Sequence, residues 1–158
     1  MKFVSFNFYL ITILLMPVVT AYAEATSVQK SPIGYWKTID DVTQKPRSIL
    51  EISENNGEII GKVIKVFSQP GDDPKKICKA CKGSRHNQSV IGMVVMQGLT
   101  HNKSNPVEWS GGEILDPKTG KTYHCSMQLA NNGEKLKVRG YLGMPLFGRT
   151  QTWVRASG

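Results

Sequence analysis

Twice in this chain the tripeptide Asn-Asn-Gly separates two stretches of alternating side chains, at 55–57 and again at 131–133. The first turn joins Arg-Ser-Ile-Leu-Glu-Ile-Ser, residues 47–53, to Glu-Ile-Ile-Gly-Lys-Val-Ile-Lys-Val-Phe, residues 58–67. Asn-Gly between two β-rich runs predicts a hairpin, because a tight turn there requires positive φ, which Asn and Gly tolerate best. Around the second turn, Tyr123, Cys125, Met127 and Leu129 share one face and Thr122, His124, Ser126 and Gln128 the other. Beyond it, Leu136, Val138, Gly140 and Leu142 alternate with Lys135, Lys137, Arg139 and Tyr141. Asp116-Pro117-Lys118-Thr119-Gly120 supplies a further β-turn. Helical periodicity is nearly absent, and the chain reads as all-β.

Eight strands are expected, near 34–39, 47–54, 58–68, 89–98, 107–115, 121–130, 134–142 and 148–156. Sequential antiparallel strands with one apolar face must hide that face, and closure into a barrel does so while abolishing open edges. The tight, consecutive hairpins favour an up-and-down barrel over a two-sheet sandwich. Its interior is then either filled by side chains or wide enough for one small ligand. Trp36, Leu50, Ile52, Val63, Val94, Tyr123, Met127, Leu129, Val138 and Leu142 are the expected inward residues, subject to a single-residue slip in any strand.

The N-terminus reads as an export signal. Met1-Lys2 gives a basic start, Phe3 to Val19 is mostly apolar, and Ala21-Tyr22-Ala23 precedes Glu24 as a small-x-small cleavage site. Ser5, Asn7, Thr12 and Pro17 interrupt the apolar stretch, which argues against a membrane anchor. The expected organisation is a signal peptide at 1–23, a linker at 24–33 and a β-barrel domain at 34–158. Cleavage leaves 19 basic against 12 acidic residues, a formal charge of +7. The basic residues are scattered and no nucleic-acid reading module is recognisable, so the excess implies a cationic surface suited to anionic ligands.

Gly34-Tyr35-Trp36 opens the strand pattern and Trp153-Val154-Arg155 closes it. This pairing resembles the lipocalin (calycin) signature, in which a first-strand Trp packs against a basic side chain from the last strand. A second resemblance covers nearly all of the chain beyond the leader. It rests on Gly34-Tyr35-Trp36-Lys37-Thr38, Cys78-x-x-Cys81, Trp109 to Pro117, Gly120 to Cys125 and Val138 to Trp153. In that order these segments resemble domain-of-unknown-function family 2147, exported proteins of Gram-negative bacteria with a lipocalin-like barrel. The resemblance implies that fold and a periplasmic or secreted location, with Gly34, Trp36, Trp153 and Arg155 closing the barrel. It implies no reaction, cofactor or agreed ligand.

Cys78-Lys79-Ala80-Cys81 lies in the longest loop, between 68 and 88. In an oxidising envelope the pair reads as a structural disulfide. Its alternative, a reactive thiol pair activated by neighbouring lysines, lacks the βαβ context of thioredoxin-type motifs. Cys125 sits on the apolar face as a buried thiol, with pairing to Cys78 or Cys81 left open. A zinc site from Cys78, Cys81, His86 and either His101 or His124 has irregular spacing, and no metal is expected. Neither Ser110 nor Asp116 stands in a catalytic pattern, and the chain is not expected to be an enzyme.

Gly140 to Arg149 is the expected functional segment, because Tyr141, Met144, Leu146 and Phe147 are large apolar residues in a Gly- and Pro-containing link. One reading makes it a lip over a pocket, with Arg149 attracting an acidic head group; the other makes it a plug, with Arg149 stacked or bonded to carbonyls. Tyr123, Met127, Tyr141, Met144, Phe147 and Arg149 are the expected ligand contacts, and a small apolar or amphipathic molecule the expected partner. The rivals are a filled barrel acting through its basic surface and a thiol oxidoreductase.

Overall fold

A computed structural model describes residues 31–158, so the expected leader and most of the linker lie outside the described residues. Eight strands follow one another: β1 (Gly34–Ile39), β2 (Pro46–Asn55), β3 (Glu58–Val66), β4 (Val94–His101), β5 (Glu108–Asp116), β6 (Lys121–Ala130), β7 (Lys135–Tyr141) and β8 (Arg149–Ala156). Each pairs antiparallel with its neighbour in sequence, and β8 returns to β1 through Trp36 opposite Arg155, closing an up-and-down barrel. A sandwich is excluded.

The two Asn-Asn-Gly turns obey the expected backbone rule. Asn56 and Gly57 have φ of 52° and 80°, while Asn131, Asn132 and Gly133 are all left-handed. Strand ends fall within two residues of expectation except in β4. There the ladder pairs Lys62 with Val94 and then Gly61 with Met96, skipping Val95. This bulge breaks the alternation, so Val95 and Met96 are both buried while Val94, expected inside, is only half-buried. Residues 89–93 consequently belong to the link before β4.

Inside, Trp36, Ile52, Ile59, Met96, Leu99, Met127 and Leu136 are almost wholly buried, joined by Leu50, Val63, Cys125, Leu129, Val138 and Trp153. Large side chains fit because small residues face them: a Cβ at Gly61 would come within 2.9 Å of Met96 Cβ. Leu142 departs from expectation. It lies one residue beyond β7 and is exposed, since the alternation that buries Leu136 and Val138 ends with the ladder.

Candidate functional site

Up-and-down connectivity sends successive links to alternate ends of the barrel. One end carries the turns at 56–57 and 131–134, the link 102–107, and the approach to β1. It is sealed from several directions at once. Trp36 Nε1 donates to the Pro32 carbonyl at 2.6 Å, and the Arg155 guanidinium lies 4.3 Å from the centre of a Trp36 ring. Arg155 also donates to the carbonyls of Gly133 (2.7 Å), Ser31 (2.9 Å) and Ile33 (3.1 Å). Desolvation holds its pKa below the ordinary arginine value. Gly34 has φ of 123°, and a Cβ there would stand 3.2 Å from the Arg155 guanidinium. Trp153 is buried nearby in sequence on the same closing strand.

At the opposite end lie the links 40–45, 67–93, 117–120 and 142–148. The longest is stapled by a Cys78–Cys81 disulfide and by backbone bonds from Cys78 to Gln88 and from Val90 to Lys76. It rests on the β5–β6 turn, where a Cβ at Gly120 would overlap the Ala80 carbonyl oxygen at 1.9 Å. Cys78 Sγ approaches the Pro117 carbonyl oxygen at 3.2 Å, a contact only, since a disulfide sulfur has no hydrogen to donate. Asp72 ties the loop to β2: it accepts the Gln69 amide at 2.8 Å and faces Arg47 at 3.3 Å. The Gln69 amide, aided by Arg47 and Lys76, holds this carboxyl below its ordinary range.

The link between β7 and β8 is organised by Arg139. Its Nε and Nη2 donate to the carbonyls of Pro145 (2.8 Å) and Leu146 (3.1 Å), and Nη1 donates to Thr150 Oγ1 at 2.8 Å. Pro145–Phe147 forms a short 3-10 turn with no buried residue. Leu142, Met144, Leu146 and Phe147 are 60%, 63%, 80% and 74% exposed, so this segment does not plug the barrel. Nor does Arg149 stack on an aromatic or bind carbonyls; its Nε donates to Asp41 Oδ2 at 2.6 Å, bridging to the neighbouring β1–β2 link.

The six expected ligand contacts therefore fall in separate places. Met127 is deep in the core and Tyr123 half-buried on the same face; Tyr141 packs outside against His124, with ring centres 5.6 Å apart; Met144, Phe147 and Arg149 stand on the rim. Sequence reasoning missed Arg139 and Asp41. Their signals were present, an Arg on the outer face beside a Gly- and Pro-rich link, and Asp40-Asp41 at a strand end.

Of the large exposed apolar residues described, Val42, Ile91, Leu142, Met144, Leu146 and Phe147 all belong to links at this second end, leaving only Ile33 and Val154 elsewhere. Two surface concavities accompany them. One of about 400 Å³ is lined by Ser84, Arg85, Gln88, Ile91 and Met93 among others. A second, of about 200 Å³, lies on the wall near Glu108, Gln128, Lys137 and Arg139. Met127 borders the second and Met93 the first, while neither lining includes Trp36 or Met96.

The thiol chemistry is restrained. Both cysteines of the disulfide are buried, Cys78 wholly so, which denies an attacking thiolate its access. Cys125 is a free buried thiol whose pKa desolvation pushes up to about 12. Among the described residues no three His, Cys, Asp or Glu side chains are grouped to hold a metal ion.

Comparison with known proteins adds two likenesses. The family model described as "Uncharacterized protein conserved in bacteria (DUF2147)" matches residues 34–155. A solved structure, described as "Protein HP1028 from the human pathogen Helicobacter pylori belongs to the lipocalin family", is 27% identical. That alignment covers 80% of this chain and 84% of the other, with a TM-score of 0.67. No curated protein matches.

Proposed function

The chain belongs to the bacterial family DUF2147, and from that membership and the rim geometry we propose an exported, non-catalytic binding protein whose packed barrel presents an amphipathic rim. Lipocalin-like barrels suit small-molecule binding in general, and the disulfide fits an oxidising envelope. The observation that carries the reading is the exposure of Leu142, Met144, Leu146 and Phe147 together on one link. Exposed large side chains grouped this way signal a binding surface. Against enclosure of a ligand stands the core itself, where Trp36, Met96, Leu99, Met127 and Leu136 occupy the interior.

Titration with a fluorescent single-chain anionic amphiphile, kept below its micelle concentration, tests the proposal. Binding should saturate and weaken at least about tenfold in a Leu146→Ser, Phe147→Ser variant, because each residue contributes on the order of 1.5–3 kcal/mol when fully buried and about 1.4 kcal/mol is already tenfold. Binding that ignores the rim change, or a co-purified mass that the rim variant retains in native mass spectrometry, would instead place the ligand inside.

A further inference from the structure

Three features of the rim exceed what a small molecule requires. Its apolar tip stands open to solvent, with Leu146 and Phe147 80% and 74% exposed and neither lining the two concavities described, whereas small-molecule sites are concave. Exposed Lys45, Lys75, Lys82 and Lys118 come from three different links around the barrel mouth, with no carboxylate within ion-pair distance among the described residues. The carboxylates of the same links are engaged internally. Asp40 accepts the amides of Val42 and Thr43, Asp41 meets Arg149, Asp72 meets Arg47 and Lys76, and Asp73 meets Lys79. The unpaired exposed charge on these links is positive, at the same end of the barrel as the apolar tip.

Part of the tip's backbone is already paired internally. Arg139 covers the Pro145 and Leu146 carbonyls, the Phe147 and Gly148 amides bond to Met144 and Pro145, and Pro145 has no amide hydrogen. An apolar phase penalises unsatisfied backbone groups heavily, so this pairing, which also fixes the turn, lowers the cost of taking the tip out of water.

We infer that the rim docks on an anionic lipid bilayer. Leu146 and Phe147 enter the boundary between head groups and acyl chains, while Lys45, Lys75, Lys82 and Lys118 meet the head groups. The barrel then stands on the membrane with the Trp36 end outermost. This inference rests on the reading of the rim as the binding face.

Co-sedimentation of the purified protein with vesicles of phosphatidylcholine, alone or mixed with phosphatidylglycerol, is the test. Binding to the mixed vesicles is expected to be at least about tenfold tighter, to weaken as salt rises, and to fall at least about tenfold in Leu146→Ser, Phe147→Ser. A Lys75→Glu, Lys82→Glu variant should lose the preference for phosphatidylglycerol. Unchanged melting temperatures establish that both variants fold. Absence of vesicle binding, with rim-dependent binding of the single-chain amphiphile intact, overturns the bilayer while leaving the rim as a small-molecule site. Vesicle binding indifferent to both variants overturns it as well, and rim-dependent capture of an envelope protein without vesicle binding replaces lipid with protein.

Discussion

The guanidinium of Arg155 lies 4.3 Å from the centre of a Trp36 ring and, from that position, donates hydrogen bonds to three carbonyls on two other segments. One side chain of β8 thereby holds β1, the residues leading into it, and the turn between β6 and β7.

Arg155→Ala should destabilise the barrel by about 2–3 kcal/mol, the scale of losing a charged hydrogen-bonding group together with its aromatic contact. Lys at this position should recover little, since a compact ammonium cannot serve three diverging carbonyls and a ring face as the planar fork does. Denaturant unfolding measures both. Amphiphile binding at the opposite end should be unchanged.

Gly120→Ala should lift the disulfide loop from the β5–β6 turn. The new methyl would overlap the Ala80 carbonyl, and φ of 70° is itself unfavourable for Ala, for an expected cost of about 1–3 kcal/mol. Hydrogen exchange should show faster amides at Cys78, Asn87 and Val90, which lie in that loop's ladder. Full protection at those amides would show that the loop is not seated through this contact.

The Cys125 thiol should resist alkylation at pH 8 in the native protein and react once denatured. Its folded pKa is raised from an ordinary 9.0 to about 12, so the folded state favours the neutral thiol. The associated stability is fully present below about pH 9 and declines as pH rises toward 12. Cys125→Ala should remove that part of the alkaline slope in thermal melts.

Asp72 predicts the opposite limb. Its folded pKa lies below the ordinary 3.8, so its stabilisation is complete above that value and fades as pH falls through the folded pKa. Asp72→Asn should flatten the acid loss of protection around Gln69 and Arg47, which chemical-shift titration would detect.

Much of the fold was legible because its turns are chemically explicit. Asn56-Gly57 and Asn131-Asn132-Gly133 announce positive φ, and the strands beside them alternate cleanly. Where β4 bulges at Val95, alternation ceases to report direction, and the inward assignment of Val94 failed for that reason. The rim was harder. Composition marked Leu142 to Phe147 as unusual for a link, but exposure depends on where the neighbouring strand stops. The roles of Arg139 and Arg149 depend on which acceptors come within reach, Pro145 and Leu146 for one and Asp41 for the other. Local pattern marks Asp41 as a charge at a strand end, but not Arg149 as its partner 108 residues on.

Arg139 also makes the β7–β8 link separable from the wall that bears it. The stretch from Leu142 to Phe147 is held chiefly through two main-chain oxygens and its own short turn, neither of which specifies a large side chain. Such a segment is an exchangeable cassette: apart from Gly143, with φ of 72°, and Gly148, where a Cβ would come within 2.7 Å of the Gly140 carbonyl oxygen, its residues can be rewritten, in evolution or by grafting, so long as two carbonyls return to the same guanidinium.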